Sequence, residues 1–292
     1  MKKSREPYLL DEDTALTTVD ISKIPRRKQK RDKIDKENEK EKEKKRNPHH
    51  VMIFGASSGI ALEFARPFAD RKARFTLIAR DEEKLQDISA DLYTRGAKNV
   101  AIVTYSLDAL EGSYAATREI IKQTEAPDTV LIAHGILGDN ENLLKSPYEM
   151  DLLYRVNLLS PIGVLMALED AMGTRGRGTI AVISSVAGDR GRGSNFAYGA
   201  SKAALSEFTS GLRARLQNKG VFVLTIKPGM VATAMTEHLP RSPLMANPRL
   251  VARDIVRAIG RKKPVVYTPG YWGWIMLIIR HLPEYVFSRL RF

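Results

Sequence analysis

Three residues near the middle of the chain have types and spacing suited to moving a proton. Ser185 stands thirteen positions before Tyr198, and Lys202 stands four after it. Four residues are about one helical turn, so Tyr198 and Lys202 fall on one helix face. An ammonium beside a phenol favours the phenolate and draws its pKa from about 10 toward neutrality. A tyrosine tuned in this way can protonate a carbonyl oxygen, or deprotonate an alcohol, while hydride moves at the carbon. Ser185 offers a hydroxyl to the same oxygen. The connecting stretch, SSVAGDRGRGSNFAYGASK, also carries Arg190 and Arg192.

Such groups need a rigid frame. From about residue 50 the chain alternates short apolar runs (VMIF, FTLIA, VAIVTY, TVLIA, TIAVIS, VFVLTI, VVYT) with amphipathic segments at 61–71, 81–95, 112–125, 148–172, 197–219 and 248–261. Continuous apolar strands between helices predict a parallel sheet covered on both faces. The expected fold is α/β: a Rossmann-type, doubly wound, seven-stranded domain over residues 50–268. Ligands lie beyond the carboxyl ends of such strands, where TIAVIS delivers Ser185. The first strand ends in GASSGIALEFA. Gly55 and Gly59 flank a tight turn, and a helix starting at Ile60 would aim its free N–H groups at a phosphate. Ser57 and Ser58 add hydroxyls. The turn predicts a dinucleotide site. After the second strand, Ala79 stands where a ribose-binding carboxylate is expected, and Arg80 follows it. Arg80 suits a 2′-phosphate, which favours NADP(H) over NAD(H). Asp81 reads as the N-cap of the next helix.

The 292 residues carry a net charge of +13, five His and no Cys. Disulfide and thiolate chemistry are excluded, and no two His share a helical ligand spacing, so no metal site is expected. Residues 1–49 read as a charged, disordered tail. Its basic run from 23 to 50 contains no Phe, Trp or Tyr, which argues against a nucleic-acid stacking platform. No leader-like segment opens the chain and no run approaches about 18 apolar residues. The expected location is cytoplasmic, with peripheral contact on the inner face of a membrane. That contact falls to an extension, 269–292, where Tyr271, Trp272, Trp274 and four aliphatic residues precede Arg280, His281, Arg289 and Arg291. The block suits either an interfacial helix pair or packing on the domain or a second subunit. Residues 234–247 read as a substrate lid. Arg241, Arg190 and Arg192 are candidates for a substrate phosphate.

Gly55-x-x-x-Gly59-Ile60, Asn157, Ser185, Tyr198-x-x-x-Lys202 and Pro228-Gly229-x-Val231-x-Thr233 occur in this order. With them the chain resembles the short-chain dehydrogenase/reductase family from about residue 50 to 267. The resemblance implies that Tyr198 is the acid/base, that Ser185 orients the carbonyl, and that Lys202 tunes Tyr198 and binds the nicotinamide ribose. It implies that Asn157 holds a water between Lys202 and solvent. Cofactor contacts are implied for Gly55, Ser57, Ser58, Gly59, Ile60, Arg80, Asp108, Gly135, Tyr198, Lys202, Pro228, Gly229, Val231 and Thr233. The family also implies a homo-oligomer, dimer or tetramer, paired through helices 148–172 and 197–219.

Some positions depart from the family pattern. Ala61 replaces a third glycine, and the fourth strand ends Ala133-His134-Gly135 where Asn-Asn-Ala-Gly is usual. The acidic adenine contact falls at Asp108 or gives way to Ser106. His134 reads either as a ligand contact or as a packed histidine. The segments AHGILGDNENL, PGMVATAMTEHL and IRHLPEYVFSRLRF resemble the reductase subunits of decaprenylphosphoryl-ribose 2′-epimerases. That likeness implies reduction of a keto-sugar on a polyprenyl phosphate, supplied by a partner oxidase. Two readings stand beside it: a reductase of small soluble ketones or alcohols, and a catalytically silent cofactor-binding interaction protein.

Overall fold

Alternate residues of β1 (His50–Phe54) point to opposite faces of a sheet, and both faces are covered. Val51 and Ile53 join a core with Phe64 of α1 (Gly59–Ala69), Leu85 and Leu92 of α2 (Glu82–Thr94), and Val251 and Ile255 of the helix Pro248–Gly260. Met52 and Phe54 join a second core, with Ile120 of α3 (Leu110–Thr124) and Val164, Leu165 and Leu168 of the helix Ser160–Arg175. Leu205, Leu212 and Leu216 of the helix Phe196–Gln217 complete it. A strand covered on both sides has no polar face, which is why these segments read as unbroken apolar runs. Each such side chain contributes about 1.5–3 kcal/mol on burial.

The computed structural model describes residues 48–238, 240 and 242–289. The charged tail expected at 1–49 lies outside them except for Pro48 and His49, and Arg241 lies outside them as well. Six more strands follow β1: β2 (Arg74–Ala79), β3 (Asn99–Thr104), β4 (Thr129–Ile132), β5 (Gly178–Ile183), β6 (Val221–Pro228) and β7 (Val265–Thr268). Among the described residues they form one parallel sheet in the order β3-β2-β1-β4-β5-β6-β7. This is the Rossmann-type α/β fold expected from the sequence. The order reverses between β1 and β4, which opens a crevice at their carboxyl ends.

The expected helix 148–172 is subdivided. After α4 (Asn140–Lys145), α5 (Pro147–Tyr154) passes through one wide π turn, Arg155–Leu159, into α6 (Ser160–Arg175). There the Ser160 N–H reaches back five residues to the Arg155 carbonyl. The whole 147–175 span is, among the described residues, long and apolar enough to cross a membrane, with a mean hydropathy of 1.3 over its most apolar stretch. Half of that stretch is buried in the protein, as expected of a helix that covers a sheet. The remaining helices are α7 (Phe196–Gln217), α8 (Pro248–Gly260), α9 (Tyr271–His281) and α10 (Glu284–Phe287).

At the start of β1, His49 stacks on Phe68, and the His50 ring bonds Thr76 Oγ1 at 2.9 Å. Burial pushes His50 down from 6.5 to about 4, with Arg74 adding to the effect. Between those two values the unfolded chain takes up a proton that the folded chain refuses, so stability falls as pH falls through this window. His50→Gln keeps a polar partner for Thr76 without a titrating group. In acid titrations of Tm, this variant should lose close to one proton of pH dependence between 6.5 and 4. An unchanged slope would assign the acid sensitivity elsewhere.

Candidate active site

Gly55 ends β1 with φ +78°, and its N–H bonds the Ile78 carbonyl at 2.8 Å. A Cβ there would stand 2.5 Å from the His134 backbone nitrogen, so only glycine brings β1 and β4 this close. The chain then turns through Ser57 and Ser58 into α1. The Leu62 N–H bonds the Ser58 carbonyl, whereas the Gly59 and Ile60 N–H groups have no backbone partner among the described residues. The Ser58 side chain does not cap the helix. Unpaired first-turn amides beside two serine hydroxyls form a cradle that suits a pyrophosphate. At the end of β2, Asp81 caps α2 as expected, accepting from the Lys84 N–H at 3.1 Å. Arg80 is exposed at the cavity edge with Lys84, whose ammonium pairs with Asp81 at 3.1 Å. Nothing in the local sequence pattern singles out Lys84. After β3, Ser106 Oγ donates to Asp108 at 2.9 Å, and both line the same cavity.

β5 delivers Ser185, whose Oγ accepts from the Ala187 N–H at 3.1 Å. Ser184 fixes the strand end to α7, donating to the Lys202 carbonyl at 2.9 Å and meeting Ser206 Oγ at 2.7 Å. Tyr198 and Lys202 lie on the first turns of α7. The buried Lys202 ammonium donates to the Ile183 carbonyl at 3.3 Å and sits 5.8 Å from the centre of the Tyr198 ring. Sequence reasoning expects this pair to bring the phenol toward neutrality, and the structure differs. Burial pushes Tyr198 up to about 12, opposed only by a hydrogen bond to Ser185, and pushes Lys202 down to about 8. Loss of water drives both shifts, each toward the neutral form of its group. Tyr198 therefore keeps its proton through the neutral range.

Asn157 does not face the cavity. The π turn carries it into the interior, where its carboxamide accepts from the Ile136 N–H and donates to the Ile136 carbonyl, both at 2.8 Å, and donates to Ser201. It thereby fixes the loop after β4. In that loop a Cβ on Gly135 would stand 3.0 Å from Asn157 Oδ1 and 3.2 Å from Lys202 Nζ. Glycine leaves this space to the ammonium. His134 bonds Ser160 Oγ through Nε2 at 3.1 Å, and burial presses its pKa to about 3, so it is a neutral histidine that also lines the cavity.

Apart from Asn157, every residue assigned above to catalysis or the cofactor lines one cavity of about 1150 Å³. Ser185, Tyr198 and Lys202 share it with the Gly55–Ile60 turn, with Arg80 and Asp108, and with Gly135. Pro228, Gly229, Val231 and Thr233 complete it at the end of β6. Part of the expected lid, including Met235 and Leu244, lines it as well. Among the described residues no group of His, Asp or Glu side chains could hold a metal ion.

The far end of the chain forms another part of the wall. Trp272, Ile275 and Ile279 of α9 line the cavity, and Trp272 and Met276 pack on Val186 beside Ser185. Gly229 makes room for the indole, since a Cβ there would stand 1.9 Å from its Nε1. Two ties hold this wall. The buried Asp189 carboxylate accepts from Lys227 at 2.5 Å and from the Tyr267 hydroxyl at 2.6 Å, which joins the loop after β5 to β6 and β7. Arg190 donates to the Ile279 and Leu282 carbonyls at 2.6 Å, pairs with Glu284 at 2.7 Å and lies over the Phe287 ring at 3.9 Å. Arg190 is therefore not free for a substrate phosphate, because its guanidinium is occupied by the chain's own end. The spacing of Trp272, Ile275, Met276 and Ile279 carried a signal for a buried helix face, but nothing local said which surface it would meet.

A doubly wound sheet with a glycine turn after β1 and a Ser–Tyr–Lys set beyond β5 defines a nucleotide-dependent oxidoreductase of the short-chain type. The short chain dehydrogenase family model matches residues 49–243, and the chain belongs to that family. An uncharacterised oxidoreductase of Mycobacterium tuberculosis is 34% identical over 240 residues, 82% of this chain and 96% of that protein. One from Streptomyces coelicolor is 32% identical over 247 residues, covering 83% and 96%. Among solved structures, a short-chain dehydrogenase from Sphingobium yanoikuyae in complex with NADPH superposes with a TM-score of 0.71 at 22% identity, covering 83% and 96%.

Removing the Arg190 clamp tests how the wall is held. Hydrogen bonds to a charged donor are worth about 1.5–3 kcal/mol each. Arg190→Ala should destabilise the protein by roughly 3 kcal/mol and raise amide exchange across 279–289 while the β1–β4 strands stay protected. Exchange rising equally everywhere would refute a local clamp.

Proposed function

We propose that the protein is an NADP(H)-dependent carbonyl reductase acting on a keto-sugar carried by a polyprenyl phosphate. The observation that carries the reductase reading is the single cavity shared by the Gly55–Ile60 turn and by Ser185, Tyr198 and Lys202. A cofactor-binding protein without chemistry has no need of that set. Arg80 and Lys84 at the cavity edge favour a 2′-phosphate and hence NADP(H), and a family structure of similar fold holds NADPH.

In this reading the turn residues Gly55, Ser57, Ser58, Gly59 and Ile60 hold the pyrophosphate. Asp108 takes the adenine end. Gly135, Lys202 and the backbone of Pro228, Gly229, Val231 and Thr233 take the nicotinamide end. Bound there, the cofactor supplies hydride for the carbonyl carbon. Ser185 donates a hydrogen bond to the carbonyl oxygen, and Tyr198 delivers the proton that completes the alcohol. Lys202 stabilises the phenolate left behind. Asn157 acts by position. Its carboxamide is committed to Ile136, so the water assigned to it by family resemblance would rest on its main chain.

The lipid part of the reading draws on α9. Its inner face lines the cavity, while Trp274 (72% exposed), Ile278 (65%) and Leu277 point outward beside Arg280 and His281. Aromatic and aliphatic residues ending in basic ones suit the surface of an anionic membrane. A helix with one face to lipid and one to the site would pass a lipid-linked sugar inward, and a partner oxidase would supply the ketone. The working form is a homo-oligomer at the inner membrane face.

Purified protein should oxidise NADPH with a polyprenyl-phosphate keto-pentose in detergent and not with a panel of soluble ketones and aldehydes. Turnover of the soluble panel alone would replace the lipid-linked reading with a soluble-ketone reductase. Tyr198→Phe should lose about 10²–10⁴-fold in kcat, and a variant with full turnover would end the proton-transfer assignment. The lowered pKa of Lys202 sets the pH profile. Reduction should hold steady below pH 8 and decline above it as the ammonium discharges, because Tyr198, near 12, stays protonated there. Lys202→Arg should remove that decline from whatever activity remains.

A further inference from the structure

Arg190 and Arg192 stand two residues apart in the loop between β5 and α7, and their surroundings differ sharply. Arg190 is fully engaged with the C-terminal segment. Arg192 is half-buried in the cavity wall, and among the described residues its guanidinium has no hydrogen bond or ion pair. Loss of water presses its pKa below the ordinary value. Asp139, a carboxylate lining the same cavity, is occupied in capping α4, accepting from the Asn142 N–H at 3.0 Å. The wall of this cavity also includes Leu152, Val156, Ile275 and Ile279.

An arginine withdrawn from water without a partner is unfavourable. Buried charges are usually paired, as that of Arg190 is. Two further features concern the same loop. Asn195, three residues on, also lines the cavity, and its Oδ1 is buried with no hydrogen-bond partner. Gly191 and Gly193 flank Arg192, and a Cβ at either would meet nothing within 4 Å. The guanidinium thus sits on a segment with open space at both flanking glycines, tied where Asn140 Nδ2 donates to the Gly193 carbonyl at 3.4 Å and where the Asn195 N–H donates to the Arg192 carbonyl at 3.1 Å. The loop is the one that carries Ser185 and leads to Tyr198, whereas the cradle for cofactor phosphates lies after β1 and β2.

We infer that Arg192 forms an oxyanion subsite for the carbonyl substrate: it takes a phosphate ester on that substrate, and Asn195 takes a hydroxyl of the same head group, with the attached chain along the apolar wall. The planar guanidinium matches a phosphate bidentately. This deepens the proposed function and rests on that cavity being the substrate site.

The test is calorimetric, on the full chain with NADP⁺ present. Octyl phosphate, inorganic phosphate and 1-octanol are titrated into wild type, Arg192→Met and Arg192→Lys. Octyl phosphate should bind wild type at least about ten-fold more tightly than either of the others. Arg192→Met should abolish that advantage, leave octanol unchanged and leave Tm no lower, because an unpaired cation has been removed. Arg192→Lys should restore part of it. Equal binding of octyl phosphate and octanol to wild type would overturn the inference, as would a preference that survives Arg192→Met. Inorganic phosphate binding as tightly as octyl phosphate would also overturn it, and a Tm loss of several degrees would mark Arg192 as structural. Failure of the reductase reading shows separately, as absent NADPH oxidation while the Arg192-dependent binding persists.

Discussion

Lys202 is 3% exposed, and its ammonium bonds a single backbone carbonyl, that of Ile183. Holding a cation there constrains everything around it. The space beside it must be left by a glycine, Gly135, since any side chain would press on the nitrogen. Gly135 must in turn be held in place, which falls to Asn157 through both polar groups of Ile136. Asn157 reaches Ile136 from the π turn that breaks the long helix 147–175. One desolvated ammonium thus accounts for a glycine, an asparagine and a local departure from helical geometry.

The same desolvation sets the chemistry. A phenol beside an ammonium in water would shed its proton more easily, but here both groups are buried and each is pushed toward its neutral form. The tyrosine stays protonated, as the proposed proton donor must, and the lysine is poised to titrate just above neutrality. That polarity suits reduction of a carbonyl, in which the proton leaves Tyr198.

One wall of the cavity is built from a distant part of the chain. Asp189, Lys227 and Tyr267 lock the loop after β5 onto β6 and β7, and Arg190 locks it onto α9 and α10. The wall beside Ser185 therefore depends on residues some eighty to a hundred positions downstream. Its inner face lines the cavity while Trp274, Leu277 and Ile278 remain exposed on its outer face.

The sequence by itself determined the seven strands, their parallel arrangement, the glycine turn and the Ser185–Tyr198–Lys202 set. All of these rest on local spacing: apolar runs of strand length, a turn that only glycine can make, a helical interval between two side chains. The His50–Phe54 and Val265–Thr268 strands fall within a residue or two of the runs VMIF and VVYT for that reason. Only the tertiary structure decided the shift of Tyr198, because desolvation depends on what is packed around a group and not on its neighbours in sequence. It likewise separated Arg190 from Arg192. The two have nearly identical local sequence, and the approach of Ile279, Leu282 and Glu284 to one guanidinium and not the other is a long-range event that no local pattern encodes.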